Sequence, residues 1–458
     1  LTIDNILNII VLLILAGVTI ATLTGDNGIL TRAQDAKNKT EQAEKDEKTN
    51  LSRTEDLINQ YVNGIEVEQV TDENPGTLET EGTDTYIINS IEDLVFFAYD
   101  VTIGNTYEGK TVKLGLSLDF NSSKSYVEPL RTDYGKYGYD GELKTLLTTK
   151  EGFRPIGVAD NVEQSNYSFS GIFEGNGNVI YNLYINKSKE DNTNDLRIGL
   201  FGNNYGTVKN LGMSNCNISM NFTSDSNNTA MAGGICGANY NIIKSCFVTG
   251  NFVGNAFGTA KIYIGGISGF NNNATISSNY SNAKINIAGN DMILSGGITS
   301  NTFGTSNIEK CYSSSEILSV GNQDEATQRI GGIVGEHSGK DISYCYNIGN
   351  LSTQGIGRSH LGGIIGYSEG NINNSYNNGS ITSNLETTRD DFLGEIIGLT
   401  SSTSIIKNCG YNAESQNSGI GVNNGTGDPS ELLEMPEIIS VIGDEFKNIS
   451  GVILLKWQ

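Results

Sequence analysis

The sequence has 458 residues, enough for two or three ordinary domains or one elongated repeat array, and a net charge of -23. So acidic a chain is unsuited to nucleic acid, whose phosphates need basic contacts, or to anionic lipid through a polybasic patch. Two His residues offer little for catalysis or metal binding, whereas 56 Gly, with abundant Asn and Ser, indicate many tight turns.

The first predicted element is an apolar helix. From Ile6 to Leu23 no residue is charged, and roughly eighteen apolar residues are enough to cross a bilayer as a helix. The chain opens with Leu1 and has no basic residue ahead of the run, which predicts that a basic leader has been removed upstream. A plain membrane anchor is the alternative.

A polar helix is predicted next, over residues 31–63. Acid-before-base pairs such as Asp35–Lys39 and Glu41–Lys45 are spaced i,i+4, which supports a helix in water. Larger apolar residues return only between Leu51 and Val62. We therefore expect a solvated stalk whose last turns pack on something, followed by a linker over residues 64–85.

Residues 1–63 resemble the N-terminal helix of type IV pilins, in the form found in prepilins of Gram-positive bacteria. The resemblance implies a processed, methylated end at Leu1 and an apolar helix that anchors the subunit before it packs in a filament core. It also implies an inner-membrane assembly machinery as partner. The usual Glu at the fifth position is Asn5 here, so Asp4 would pair with a neighbouring subunit's amine. The core positions implied are Leu1, Asp4, Ile6, Ile9, Ile10, Val11, Leu12, Leu13, Ile14, Leu15, Val18 and Ile20.

An internal repeat dominates the remainder. Seven related motifs recur at steps of 35, 32, 31, 35, 31 and 32 residues: IGLFG, GGICG, GGISG, GGITS, GGIVG, GGIIG and GEIIG, from Ile198 to Gly398. Each is followed by a second strand-like element such as IIKSCFV and often a third such as KINIA. Three short strands cannot bury an apolar face alone, but coils stacked at about 4.8 Å can. The sequence predicts a mainly β fold, a parallel β-solenoid or β-helix with a long N-terminal α-helix.

These repeats resemble the GLUG family of bacterial surface proteins, whose pattern is kept at Gly199–Gly202. The resemblance divides the chain into an N-terminal cap and first coils over 86–195, the GLUG-repeat solenoid over 196–412, and a C-terminal coil and cap over 413–458. Two helix starts are predicted in the caps, at Ser90–Asp93 and at Asp428–Glu431.

The cysteines predict a structural column. Cys246, Cys311 and Cys345 occupy one repeat position, where other repeats have Asn279 and Ser375. Because free Cys suits a small buried site, we expect these side chains to face inward and stay reduced. Cys216, Cys236 and Cys409 are placed elsewhere, and disulfides remain the alternative.

Few residues suggest chemistry. Asp324, Glu325, Arg329, Glu336 and Asp341 lie in one stretch with Lys340 and His337. We interpret this group as a solvated corner, and we expect His337 and His360 at the surface. The stretch from Glu174 to Asn178 lacks the alternating acids of a calcium loop and predicts a tight turn. No cofactor and no metal site are expected.

The sequence therefore predicts a structural protein, the subunit of an extracellular type IV pilus-like filament, which begins as a single-pass membrane precursor. Its main partner is further copies of itself, with surfaces or glycans as additional partners and no nucleic acid. Two alternatives remain open. One is a membrane-tethered GLUG-repeat adhesin, and the other is a β-helix polysaccharide lyase or hydrolase, which would need clustered carboxylates on one face.

Overall fold

Each repeat of the chain crosses four β-sheets in the same order and then returns to the first sheet one strand further along. The computed structural model describes residues 78–120, 152–157, 167–191, 193–386, 390–412, 417–427, 430–432, 435–449 and 452–458. Within these ranges one sheet holds seven strands, all parallel, which corresponds to about seven full turns. The fold is mainly β, and the predicted parallel β-solenoid is confirmed.

We number the sheets in the order in which the chain meets them. Sheet 1 contains Glu79–Glu81, Thr85–Ile88, Thr111–Leu114, Ile172–Glu174, Thr207–Lys209, Ile242–Lys244, Thr275–Ser277, Asn307–Glu309, Asp341–Ser343, Asn371–Asn373 and Ile406–Lys407. Sheet 2 contains Leu118–Asp119, Val179–Tyr181, Tyr184–Glu190, Gly212–Ser224, Phe247–Gly258, Tyr280–Gly289, Tyr312–Ser313, Glu316–Gly321, Tyr346–Asn347, Leu351–Gly355, Tyr376–Asn377, Ile381–Leu385, Gly410–Asn412 and Ser430–Leu432. Sheet 3 contains Leu196–Ile198, Thr229–Ala232, Lys261–Gly265, Met292–Gly296, Thr327–Gly331, Arg358–Gly362 and Asp391–Gly394. Sheet 4 contains Phe201–Asn204, Cys236–Asn239, Ser268–Asn272, Thr299–Phe303, Val334–Ser338, Ile365–Ser368, Ile397–Thr400 and Ile420–Val422.

The glycine motifs form corners rather than whole strands, because each joins the end of a sheet 3 strand to the start of a sheet 4 strand, as Gly265–Gly269 does. Their first glycines stack in register from coil to coil, as in the pairs Gly265–Gly296 and Gly331–Gly362, so the predicted repeat is confirmed. Each motif joins sheet 3 to sheet 4, which gives four strands a coil instead of the predicted three. Glycine is required because a Cβ atom at Gly296 would collide with the carbonyl oxygen of Thr299.

The second glycine of the motif allows sheet 2 to pack closely against the corner between sheets 3 and 4. A Cβ atom at Gly266 would collide with the side chain of Ser281 and with the next coil's backbone. Gly332 has the same relation to Asn347. The motif therefore lets sheet 2 approach the corner closely, with small polar side chains filling the space between.

The corner between sheets 1 and 2 uses a left-handed residue in each coil. The φ angles lie between 49° and 55° at Asn210, Ser245, Ser278, Lys310, Tyr344, Asn374 and Asn408. Asn adopts this conformation readily because its side chain can bond locally. Asn occupies three of these seven positions, so the backbone conformation accounts for part of the Asn content of the repeats.

Polar ladders run through the interior. Asn204 donates to Asn239 at 2.8 Å, and Asn239 donates to Asn271 at 2.7 Å, from one coil to the next. A second ladder leads from Asn347 to Asn377 and ends on Glu395. Because each amide both donates and accepts, these buried groups satisfy one another along the stack.

The N-terminal end of the solenoid is covered by helix α1, Ile91–Thr102. Ser90 caps it by accepting a 3.1 Å hydrogen bond from the backbone N–H of Asp93, so the predicted helix start is confirmed. Phe97 points into the end of the core and packs edge-on against Tyr107 and Phe169.

The C-terminal segment forms a separate layer on the side of the solenoid. Helix α2, Met435–Ile442, precedes a hairpin of two strands, Phe446–Ile449 and Val452–Leu455. The helix start predicted at Asp428–Glu431 is wrong, because Ser430–Leu432 is a strand that pairs with Gly410–Asn412 and forms the edge of sheet 2. A small second core joins the layer to the coils: Tyr346, Tyr376, Ile442, Phe446, Ile453 and Leu455.

Candidate functional site

The predicted filament-core residues lie outside the described residues. They are Leu1, Asp4, Ile6, Ile9, Ile10, Val11, Leu12, Leu13, Ile14, Leu15, Val18 and Ile20, and the predicted stalk over 31–63 lies outside as well. Among the helices of the described ranges, none combines the length and apolar character needed to cross a membrane.

The charged residues between Asp324 and Asp341, which were predicted to form one solvated corner, lie in two different environments. Asp324 and Glu325 are exposed, as a solvated corner requires. Arg329 is instead half-buried in the angle between sheets 3 and 4, where it pairs with Glu336 and lies 4.1 Å over the ring centroid of Tyr367. The charges of Arg329 and Glu336 therefore compensate each other, and the guanidinium plane of Arg329 makes a cation–π contact with Tyr367. In the described ranges no three His, Cys, Asp or Glu residues are grouped so as to hold a metal ion.

Both histidines are buried, so the prediction of surface positions is wrong. His337 lies on the inward side of sheet 4, where its Nδ1 is 2.7 Å from the hydroxyl of Thr302. Burial lowers the pKa of His337 to about 4, although the backbone of Asn371 and the charge of Asp341 oppose the shift. Burial and nearby Arg charges lower the pKa of His360 to about 3, and its ring stacks on Phe392 at 5.4 Å. Both rings are neutral at pH 7 and serve packing.

The cysteine column is present and longer than predicted. Cys246, Cys311 and Cys345 are buried and free, and Asn279 and Ser375 occupy the same position in their coils. Cys409 also belongs to the column, because it follows the left-handed corner residue Asn408 as the others do. Burial raises the pKa of Cys246 to about 12 and that of Cys409 to about 12, so these thiols are poor nucleophiles.

A cavity of about 440 Å³ lies at the corner between sheets 1 and 2, near the N-terminal end. Its lining residues are Glu174, Asn176, Gly177, Asn210, Leu211, Gly212, Ser245 and Phe247. The stretch Glu174–Asn178 forms a turn between strands, as predicted. The Glu174 carboxylate is fixed there by the backbone N–H of Asn176 at 2.8 Å, the amide of Asn210 at 2.9 Å and Lys209 at 3.0 Å.

An aromatic ladder leads away from this cavity along the first position of sheet 2. The ring centroids of Phe247, Tyr280, Tyr312 and Tyr346 are separated by 5.2, 4.9 and 4.9 Å, and the ring planes agree within 11°. The C-terminal layer packs against the last two rings of the ladder, with Trp457 on Tyr312 and Phe446 on Tyr346. The ladder was not predicted, although an aromatic residue directly follows the column residue in Cys246-Phe247 and in each of the next three coils.

No family model matches the chain, and no curated protein matches it. Among solved structures it is similar to a protein from Bacteroides ovatus described as a candidate immunoglobulin A1 protease. The two are 17% identical, with a TM-score of 0.47 over 83% of this chain and 94% of the other. A similarity of this degree carries no conclusion about the present chain.

Proposed function

We propose that this protein is the structural subunit of an extracellular type IV pilus-like filament. The observation that carries the proposal is the uncharged apolar run from Ile6 to Leu23, which precedes a charged segment and then a polar, acidic solenoid. Such a run gains free energy only by entering lipid or by packing against other apolar surfaces. The same run would anchor a membrane precursor before assembly.

The energetics favour a polymer. Relative to a helix exposed to water, packing an apolar helix of this size among its copies removes on the order of a thousand Å² of apolar surface, at roughly 25 cal/mol per Å². This gross gain exceeds the cost of ordering each subunit, even when that cost is at the upper end of its range. A helix that leaves the membrane does not gain this free energy, so its extraction requires work from the assembly machinery. The solenoid suits the outer layer, because its net negative charge resists non-specific association between neighbouring filaments.

The N-terminal end of the solenoid fits such a role. Unpaired strand edges recruit other strands and lead to uncontrolled aggregation. Helix α1 covers this end, where Phe97 packs on the rings of the first coils. A covered end favours assembly through the N-terminal run over assembly through strand pairing at this end.

The test compares two lysine substitutions in the full chain. Leu13→Lys places a charge in the apolar run and is expected to abolish filaments in negative-stain images and in ultracentrifuge pellets. Ala36→Lys in the polar segment is the matched control and should assemble as the unmodified chain does. Filaments formed equally by both variants, or an unmodified chain that stays monomeric without detergent, would contradict the proposal.

A further inference from the structure

Two tyrosines of successive coils are stacked face to face on the outside of the solenoid. Tyr205 directly follows the strand Phe201–Asn204 of sheet 4, and Tyr240 directly follows Cys236–Asn239, one coil later. The backbone N–H of Tyr240 donates a 2.8 Å hydrogen bond to the carbonyl oxygen of Asn204, which holds the two residues in register. Their ring centroids are 4.5 Å apart, and their planes differ by 8°. The spacing of the coils thus fixes one phenol directly over the other.

The pair is accessible and isolated from other rings. Both side chains are half-buried, so each ring keeps part of its surface in contact with solvent. Within the described part of the chain, neither ring packs against a third one. The aromatic ladder of sheet 2 is different, because Tyr312 contacts Trp457 as well as two other rings of the ladder. Oxidation of the ladder is shared among several rings, whereas oxidation of the pair is confined to two.

Face-to-face stacking is the arrangement from which two oxidised phenols couple. A tyrosyl radical carries much of its unpaired electron on the ring carbons ortho to the oxygen, in orbitals perpendicular to the ring plane. In parallel rings these orbitals point at the neighbouring ring, whereas in perpendicular rings they do not. Because the partner ring is already in contact, coupling within the pair does not depend on a diffusional encounter.

Both rings are neutral phenols before oxidation. Burial raises the pKa of Tyr205 and also that of Tyr240. The positive charge of Arg197 opposes the shift at Tyr240 and leaves the pKa raised. Loss of an electron makes a phenol strongly acidic, so an oxidised ring releases its proton to water.

We propose that Tyr205 and Tyr240 are a site of oxidative cross-linking, at which a carbon–carbon bond joins the two rings and links successive coils. Two equivalents of a small one-electron oxidant, of the kind that peroxidases form from hydrogen peroxide, each take one electron. Each ring gives its phenolic proton to water, and the two radicals form a bond between carbons ortho to their oxygens. The hydrogens on these carbons then move to the oxygens through solvent, which restores two phenols. The net change is the loss of two electrons and two protons.

The bond closes a loop of one repeat. It therefore restricts the unfolded chain and stabilises the folded coils that it joins. The proposal concerns the solenoid alone and does not depend on filament assembly.

The test oxidises the full chain, dilute and in detergent, with light-activated ruthenium tris-bipyridyl and persulfate. Mass spectrometry of the digested monomer identifies linked peptides, whose mass is two hydrogens below the sum of the separate peptides. We expect the Tyr205–Tyr240 link to be at least about tenfold more abundant than a link between Tyr86 and Tyr107. The rings of that second pair are 5.1 Å apart but nearly perpendicular, at 82°. Unfolding in guanidinium before oxidation should lower the Tyr205–Tyr240 link about tenfold, because it removes the stacking.

Tyr205→Phe and Tyr240→Phe each keep a stacked ring but remove a phenol, so each should abolish the link. Tyr181→Phe is the matched control, since it removes a phenol that is 39% exposed and lies outside the pair, and it should leave the link unchanged. The proposal is overturned if the linked peptides are absent from the oxidised monomer, if the link persists in Tyr205→Phe, or if a chain unfolded before oxidation forms it equally well.

Discussion

The indole nitrogen of Trp457 donates a 2.9 Å hydrogen bond to the carbonyl oxygen of Lys310, 147 residues earlier in the chain. One coil further along the ladder, the hydroxyl of Tyr346 donates to Gln458 at 2.9 Å. The last residues of the described chain are thus fixed to the side of the solenoid, next to the aromatic ladder. Their small core is separate from the main one.

We expect the C-terminal layer to detach before the solenoid unfolds, because its core is small. Trp457 is the only Trp in the sequence, so tryptophan fluorescence reports this step and far-UV circular dichroism reports the coils. In urea the fluorescence transition should come first, and Tyr346→Phe should move it alone, by about 1 kcal/mol.

Tyr280→Phe is the control for this experiment. It removes a hydroxyl of the same ladder that has no hydrogen bond in the described part of the chain, and it should leave both transitions in place. Two coincident transitions that shift together in Tyr346→Phe would mean that the layer and the coils unfold as one unit.

The buried amide ladder should be costly to interrupt. Asn239→Ala removes the donor to Asn271 and the acceptor for Asn204 in the interior. We expect a loss of about 2–4 kcal/mol in the free energy of unfolding, since two buried partners lose a bond. The exposed Asn282 provides the control, and Asn282→Ala should change the free energy of unfolding by less than about 0.5 kcal/mol. Equal urea midpoints for the two variants would show that the ladder adds no stability.

Two glycine substitutions distinguish the destabilisation caused by a steric clash from that caused by an unfavourable φ angle. Gly332→Ala would push a methyl group into the Gly363 carbonyl and the Asn347 side chain, so we expect a loss of more than about 3 kcal/mol. Gly82 has a φ of 74°, but a Cβ atom there would meet nothing within 4 Å, and Gly82→Ala should cost about 1–2 kcal/mol. Thermal melts of both variants check the order, and a milder effect at Gly332 would contradict the close approach of the sheets.

The cysteines should be unreactive in the native protein. All six are buried and free, and burial raises the pKa of Cys216 and of Cys236 to about 12. At pH 8 a thiol reagent should therefore modify none of them within minutes and all of them in guanidinium. Fast labelling of any thiol in the folded protein would contradict its buried position, and fewer than six in guanidinium would indicate a disulfide.

Much of the architecture is predictable from spacing, because a solenoid repeats its backbone demands in every coil. The period of the glycine motifs predicts the coil, and Ser90 with Asp93 predicts the start of helix α1. The predictions that are wrong concern features that depend on contacts between successive coils. The pattern of the motif suggests a strand, although its glycines are required by contacts with the next coil, such as that between Gly332 and Gly363.

The candidate site is less predictable for the same reason. His337 belongs to a polar type that is often exposed, and only its register with Thr302 places it inside. The position of the Phe247 ring depends on the absence of a side chain at Gly212, and this glycine can be interpreted only once Phe247 is known to lie above it. These contacts join residues of successive coils, which are about thirty residues apart in the sequence, so no local sequence pattern predicts them.

The buried histidines should make stability depend on pH between about 4 and 6.5. The pKa of His337 is about 4 in the folded protein against an ordinary value of 6.5, so the unfolded chain binds more protons in this window. The free energy of unfolding then falls as the pH falls, by up to about 1.4 kcal/mol per pH unit for each such group. His360 changes the stability in the same direction, because its pKa in the folded protein is also lowered, to about 3. Urea unfolding of the unmodified chain at pH 7.5, 6.0 and 5.5 should show this loss.

His337→Asn tests the assignment, because Asn occupies the same inward position at Asn239 and Asn271 in earlier coils. Between pH 7.5 and 5.5 most carboxylates stay ionised, so the histidines dominate the slope. The variant should lose about half of the histidine-dependent slope, and adding His360→Leu should remove most of the remainder. A slope that is the same in the unmodified chain and in the double variant would mean that both rings are already accessible to protons in the folded state.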